Sequence, residues 1–416
     1  MSHRRIGVAL AVALLGLLAA ALPATAARRS RGASGPPRIE ARAWILVDAR
    51  SGEVLLAHAA ARHLPIASTT KLMTAWVAMH EMPLDRIVRA APYHPEYGES
   101  LMGLRAGQRV SVRDLLYGLI LRSGNDAAHT LAVAAAGSQA RFVRQMNERA
   151  AALGLADTHY ANPVGLDQRG NYSSAFDLAT LTRRLLGVPA FARIADARGA
   201  VLRSVRPRRR ISTINELLAM APWVNGVKTG HTFGARYVLV GSGRRKGVEL
   251  IAVAIGAPSD EDRYSDDLDL LEYGFSRYRR RRPVRAGQDL ADPEIRYSGG
   301  ALPLRAARSV AIGVRRGQGL DVEVAAPKRV EGPIARGAVL GRATVLVDGR
   351  PAATVPLRAA RSVPKASLFD RLRDFLGSHL LAIAVAMFVI LMSGVALYGR
   401  VARRNDRKGR NRVNAK

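Results

Sequence analysis

Hydrophobic and polar positions along this 416-residue chain fall into three kinds of pattern. Unbroken apolar runs lie near both ends: IGVALAVALLGLLAAAL, after His3, Arg4 and Arg5, and LLAIAVAMFVILMSGVALY, between Phe375 and Gly399. Period-two alternation predicts strands in ARAWILVDARSGEVLLAH, with a turn at Ser51-Gly52, and in RYVLVGSG and VELIAVAIGA, a hairpin across residues 244–247. Spacings of three and four predict helices from Ser68, in VRDLLYGLILRS and NDAAHTLAVAAA, over residues 139–152 and 175–186, and in DDLDLLEYGFSRY. Strands at both ends with helices between them imply an α+β domain over residues 38–278: one antiparallel sheet covered by helices, in which the two ends meet.

After the basic stretch RYRRRRPVR the pattern changes to short alternating strands and turns such as Asp348-Gly349, a small all-β domain over residues 284–363. It contains a near-repeat, LPLRAARSV at residues 302–310 and VPLRAARSV at 355–363. Two copies are too few for a solenoid, so they read as equivalent strand-and-turn pieces without catalytic meaning.

The terminal runs bear on location. A basic start, an apolar core and Ala-Thr-Ala ending at Ala26 fit a secretory signal peptide over residues 1–26, followed by a Gly/Pro/Ser/Arg linker over 27–37. The second run, residues 377–399, is long enough to cross a bilayer as a helix. A basic tail over 400–416 follows it, which by the positive-inside rule places the tail in the cytoplasm and the body on the periplasmic, extracytoplasmic side of the inner membrane. Just before it, residues 367–376 read as an amphipathic segment on the membrane surface, opened by a capping box from Ser367 to Asp370.

Composition adds two facts. The formal net charge is +31, which calls for an anionic partner, but export removes nucleic acid from consideration. The arginine runs at 203–210 and 277–285 read as solvated surface, suited to anionic lipid or wall polymer if they touch anything. Only seven of the 64 basic residues are lysines, and there are no cysteines, which excludes disulfides, thiol nucleophiles and cysteine metal sites. The nine histidines show no metal-binding spacing and read as ordinary surface or core residues.

Against that arginine background, Lys71 sits in the apolar helix PIASTTKLMTA, one turn after Ser68. Residues three apart share a helix face, and a desolvated amine near another cation has a depressed pKa, so Lys71 can take the proton of Ser68. Ser-x-x-Lys alone is weak evidence; Ser362-Val-Pro-Lys365 matches it in a proline-containing, non-helical stretch. The company is stronger: Ser123-Gly-Asn125 falls between two helical patterns, and Lys228-Thr-Gly230 falls immediately before RYVLVGSG.

These three motifs in this order, with the flanks LLYGLILRSGNDAA, HYANPVGLD, NYSSAFDLA and GVKTGHT, resemble the D-alanyl-D-alanine carboxypeptidases, low-molecular-mass penicillin-binding proteins. EGPIARGAVLG resembles that family's C-terminal domain. The resemblance implies a β-lactamase/transpeptidase-like fold for the first domain and a reaction that needs no metal or organic cofactor. It further implies that Ser68 attacks the carbonyl between two D-alanines of a peptidoglycan stem peptide, that Lys71 accepts its proton, and that β-lactams acylate the same serine. Ser123 and Lys228 would pass a proton to the leaving D-alanine, while Asn125 orients substrate. Backbone N–H groups of Ser68 and His231 would hold the oxyanion, and Thr229, Gly230 and, near the carboxylate, Arg263 would bind the substrate's end. Phe176 departs from the charged residue that relatives often carry in this motif.

Three other functions fit parts of the pattern. A class A β-lactamase shares the motifs but needs a deacylating glutamate after the second one, and between Asn125 and Lys228 only Glu148 and Glu216 occur, both in helical pattern. A D,D-endopeptidase uses the same residues. A non-catalytic β-lactam sensor would need a signalling domain, for which the tail after Gly399 is short.

Overall fold

The computed structural model describes residues 35–413. The expected signal peptide lies outside the described residues, as do most of the linker and the last three residues of the tail. The first domain runs β1 (Ala43–Asp48), β2 (Val54–His58), a 3-10 turn (Ala67–Thr70), α1 (Lys71–Glu81), β3 (Ile87–Arg89), β4 (Arg109–Ser111), α2 (Val112–Leu121), α3 (Asn125–Ala136), α4 (Gln139–Ala152), α5 (Ala175–Leu186) and α6 (Pro189–Ala195). It continues through β5 (Gly199–Leu202), β6 (Arg209–Ser212), α7 (Leu217–Met220), β7 (Val224–Thr232), β8 (Arg236–Arg245), β9 (Val248–Ala257) and α8 (Asp260–Ser276). The antiparallel sheet has the order β2-β1-β9-β8-β7, so the N-terminal hairpin pairs with the last strand of the domain and the two ends meet as expected.

Alternation along β1 explains the layering. Ile45 and Val47 join the main helical core with Leu72, Leu115 and Leu131, whereas Leu46 and Leu250 pack against Gly274 of α8 on the other face. Serine caps open four helices of this domain, at Ser111, Ser138, Ser174 and Ser259, each accepting from an N–H three residues on. The last of these starts α8 at Asp260, six residues before the helical pattern read at residue 266. The polar run DED carries no apolar periodicity, but three acids in a first turn favour helix through its dipole.

Two other segments differ from the reading of the sequence. Residues 203–210 are not plain solvated surface: they close the β5–β6 hairpin, and Arg209 packs beside Gly103. The stretch RYRRRRPVR, read as a boundary, is largely a strand, β10 (Tyr278–Val284). Its charged residues hid the pattern; only Tyr278 and Val284 are buried.

β10 opens the second domain, followed by β11 (Asp289–Ala291), β12 (Glu294–Ile295), β13 (Gly300–Ala301), β14 (Leu304–Ala306), β15 (Val310–Arg315), β16 (Leu320–Ala325), β17 (Arg329–Val330), β18 (Val339–Val347) and β19 (Arg350–Ala359). The two repeats pair with each other. Leu304 faces Ala359, Arg305 faces Arg358 and Ala306 faces Leu357. The flanking bonds match as well: Ala307 N–H donates to Pro356 and Ala360 N–H to Pro303, while Gly287 N–H donates to Ala306 and Gly337 N–H to Ala359. A local two-fold axis thus passes between Arg305 and Arg358.

The domains meet through β10 and β15. Gly313 packs so closely on Val248, beside the β8–β9 turn, that a Cβ there would lie 2.0 Å from a Val248 methyl. Arg315 pairs with Glu53, and the Tyr278 hydroxyl donates to buried Asp48 at 2.8 Å. Ser367 and Asp370 form the expected capping box, and α9 (Leu368–Val413) then runs without a break. Within it Ile383–Val401 is long and apolar enough to cross a membrane.

Asp48 Oδ1 accepts from Arg50 and Ser51 N–H at 2.9 Å each, which leaves Tyr278 as the partner of Oδ2. Tyr278→Phe removes one donor from a buried carboxylate and is expected to cost about 1–3 kcal/mol. A lower urea midpoint at an unchanged slope would record it; an unchanged midpoint would show that the junction does not depend on this bond.

Candidate active site

Ser68 sits in the 3-10 turn ahead of α1, not within the α-helix itself. Three residues per turn in that geometry stack positions i and i+3, and Lys71 Nζ lies 2.8 Å from Ser68 Oγ. Lys71 is fully buried, at 0% exposure. Its amine also donates to the carbonyl of Val164, in the loop ANPVGLD. Asn162 shapes that loop by accepting from Val164 and Gly165 N–H and donating to the Leu166 carbonyl at 3.0 Å. Gly165, at φ +92°, lies directly on the backbone of Ala67, where a Cβ would come within 2.0 Å of its carbonyl oxygen.

The second pair comes from two other elements. Ser123 occupies the break between α2 and α3 at φ 56°, a left-handed conformation in which non-glycine residues are uncommon. Lys228 belongs to β7, the edge strand of the sheet, so Lys-Thr-Gly lies on a strand and not merely before one. Its segment VNGVKTGHT lacks alternation and did not read as a strand. Lys228 is 1% exposed and donates to Ser123 Oγ at 2.9 Å and to the Thr229 carbonyl at 2.6 Å. Gly230 brings β7 against the 3-10 turn that carries Ser68, since a Cβ there would lie 3.1 Å from Ser68 N and from Ala67 Cβ. The two Ser–Lys pairs therefore share one site.

Electrostatics follow from this burial. Loss of hydration lowers the Lys71 pKa to about 7, against the pull of the Glu99 and Asp126 carboxylates, which raise it. Burial, then the charges of Lys71 and Arg263, hold Lys228 well below the usual lysine range. Lys71 is thus poised to give up its proton near neutral pH, and Lys228 is displaced in the same direction.

The remaining expected residues fall around this centre. Asn125 opens α3 and donates to Glu99 at 2.8 Å. Thr229 is buried on β7, and His231 is exposed at its end with its ring 4.3 Å from that of Tyr237. Arg263, on α8, is only 8% exposed and is engaged behind the strand. Its guanidinium donates to the Gly230 carbonyl at 3.1 Å and to the Tyr264 hydroxyl, and pairs with Asp260. Phe176 is exposed, so its departure from the motif falls on the surface while Asp177 stays buried. Ser362 and Lys365 lie in non-helical chain, as expected.

Glu99 was not anticipated, because the loop before α2 has no periodicity and the residue belongs to no motif. Its Oε2 accepts from Asn125 and from the Tyr93 hydroxyl. Burial would raise its pKa; the Asn125 and Tyr93 bonds and the Lys71 charge outweigh that and hold it low. Asp126 pins the neighbouring loop by accepting from Met102, Gly103 and Leu104 N–H at 2.7–2.8 Å.

Comparison with known proteins agrees with this geometry. Residues 30–259 match the family described as D-alanyl-D-alanine carboxypeptidase, and residues 278–365 match penicillin-binding protein 5, C-terminal domain. D-alanyl-D-alanine carboxypeptidase DacD of Salmonella typhimurium is 34% identical over 381 residues, 85% of this chain and 94% of that protein. Among solved structures, penicillin binding protein 6B from Escherichia coli is 30% identical with a TM-score of 0.57, covering 79% of this chain and 98% of that one. Penicillin binding protein 5 from Haemophilus influenzae is 28% identical with a TM-score of 0.56, covering 80% and 100%.

A base must be neutral to act, so if Lys71 serves as base to a nucleophilic Ser68, the rate of acylation should rise with pH through the Lys71 pKa near 7. Glu99→Gln removes one of the two carboxylates that raise that pKa, so the inflection should move to lower pH. The pH profile of acylation by a reactive acyl donor measures this. A lower plateau with an unmoved inflection would show that Glu99 only positions Asn125.

Proposed function

Because this chain belongs to the D-alanyl-D-alanine carboxypeptidase family, we propose a division of labour among its site residues for the hydrolysis of a terminal D-Ala-D-Ala bond. The protein is a serine-type hydrolase that removes the last D-alanine of peptidoglycan stem peptides, and a penicillin-binding protein. The observation that carries the assignment is the pair of fully buried lysines, each within 2.9 Å of a serine hydroxyl.

Ser68 Oγ attacks the carbonyl between the two D-alanines as its proton passes to Lys71 Nζ. The oxyanion forms against the N–H groups of Ser68 and His231, on the turn and strand that Gly230 holds together. The C–N bond then breaks, and its nitrogen takes, through Ser123 and Lys228, the proton that Lys71 had accepted, which leaves Lys71 neutral again. Free D-alanine leaves; water then attacks the Ser68 ester, giving a proton to Lys71, which passes it to Ser68 Oγ as the shortened peptide is released. Asn125 orients the substrate amide, and the edge of β7 offers backbone groups to an extended peptide. Thr229 receives the terminal carboxylate, and Arg263 reinforces it electrostatically through the Gly230 carbonyl it holds.

A β-lactamase reading requires a carboxylate to activate the deacylating water. The ANPVGLD loop presents a backbone carbonyl, that of Val164, to Lys71, and its one acid, Asp167, is engaged by Thr232 and Gly234. Glu148 lies in α4 and Glu216 at the start of α7. This arrangement supports slow deacylation. Helix α9 with its apolar stretch supports anchoring to a membrane, the body outside the cytoplasm and the basic tail inside.

Ser68→Ala is expected to abolish D-alanine release from a pentapeptide ending in D-Ala-D-Ala, and penicillin labelling with it. Lys71→Arg, which keeps the charge but cannot release a proton, should lower acylation by roughly a factor of 10² or more with an unchanged melting temperature. Near wild-type acylation in a folded Lys71→Arg protein would exclude Lys71 as the base. Cross-linked muropeptides offered as substrate test the endopeptidase reading in the same assay.

Deleting everything after Val363 should leave an active enzyme that alkaline washing removes from the membrane fraction. Retention of that truncated protein in the membrane would assign anchoring to another segment.

A further inference from the structure

Five arginines from separate segments converge on two adjoining clefts where the catalytic domain meets the β domain. One cleft, of about 350 Å³, is lined by Arg277 at the end of α8, Arg279 of β10, and Arg315 and Arg316 at the end of β15. The other, of about 460 Å³, shares Arg279, Arg315 and Arg316 and adds Arg281. Strand alternation explains the selection: Arg279 and Arg281 face the clefts, while Arg280 and Arg282 between and beyond them do not line either one.

Among the described residues, the one carboxylate paired with this group is Glu53, on Arg315. Arg277 rests over the Tyr273 ring, and Arg279, Arg281 and Arg316 are exposed without an acidic partner among the described residues. Like charges gathered in a concave surface repel one another and concentrate positive potential there, and both effects are relieved by a bound anion. Guanidinium groups suit phosphate because their planar fork gives paired hydrogen bonds.

We propose that this double cleft binds a polymer carrying repeated phosphodiesters. Arg279 and Arg281 are two residues apart on one strand, about 7 Å along the chain, and the shared arginines make the two clefts continuous. A single small anion cannot span that row; a chain of regularly spaced phosphates can. The helix with the candidate membrane span begins elsewhere, its first turn tied by Arg371 to Glu331 beside β17. A polymer reaching in from the wall therefore fits this position better than a lipid headgroup.

The test uses the full chain in nonionic detergent and fluorescein-labelled short-chain polyphosphate, read by anisotropy over a range of salt. The cleft variant R279S/R281S/R316S should weaken binding at least about tenfold and reduce the salt-dependence slope by about two to three. The control R336S/R350S/R358S removes the same charge from exposed positions elsewhere in the β domain and should weaken binding less than about twofold. Both variants should release D-alanine from a soluble pentapeptide at the wild-type rate, which keeps this result separate from the catalytic assignment. Equal losses in the two variants would overturn the proposal and assign polyphosphate binding to net charge alone. Displacement of the probe by phosphatidylglycerol in the micelles, as effective per phosphate as unlabelled polyphosphate, would overturn it in favour of a lipid headgroup.

Discussion

An ammonium group with no exposed surface loses its hydration, and at Lys71 the surrounding backbone is arranged to replace that loss only in part. The Val164 carbonyl and the Ser68 hydroxyl satisfy the amine's hydrogen bonding, while the nearby carboxylates offset a fraction of the desolvation. Several distant features follow from keeping water out of this place. Gly165 and Gly230 press a loop and an edge strand onto the same turn from different directions, at separations that leave no room for a side chain at Gly165 and little at Gly230. Asn162 and Asp167 hold the loop in that position from within and from the β7–β8 turn. A looser fit at either glycine would admit water and restore the lysine's proton.

The elements that read correctly from the sequence are those whose apolar positions repeat. Helices α3, α4 and α5, with the hairpin of β8 and β9, stand where the pattern put them. The failures share a physical cause: where backbone pairing or capping makes the element, side-chain periodicity carries no signal. Strand β7 is held by its register with β8 and contains two glycines and a lysine. The start of α8 rests on Ser259 and a cluster of acids. Strand β10 is specified by its two buried ends around four arginines.

The site shows the same division. Its three motifs were visible because each combines residue types that chemistry demands at a fixed spacing on one local element. Glu99 was invisible because its influence on Lys71 and Asn125 arises only when a loop folds back over α3, with Asp126 gathering three successive N–H groups to hold it. Arg263 was visible as a residue type but not in its direction. Only the packing of α8 against the sheet shows its guanidinium gripping the back of β7.

The pairing of LPLRAARSV with VPLRAARSV gives the β domain an architecture of two halves related like the subunits of an isologous dimer, in which residue i meets j and j meets i. Each half is about 40 residues, near the size below which a chain struggles to bury a core of its own. Leu304 and Leu357, equivalent by symmetry, both end in a single shared core. Joining the halves in one chain removes the concentration dependence of such an association. It also frees their sequences to diverge wherever the symmetry is not used, and the arginines of β10, which have no counterpart in the second half, record that freedom.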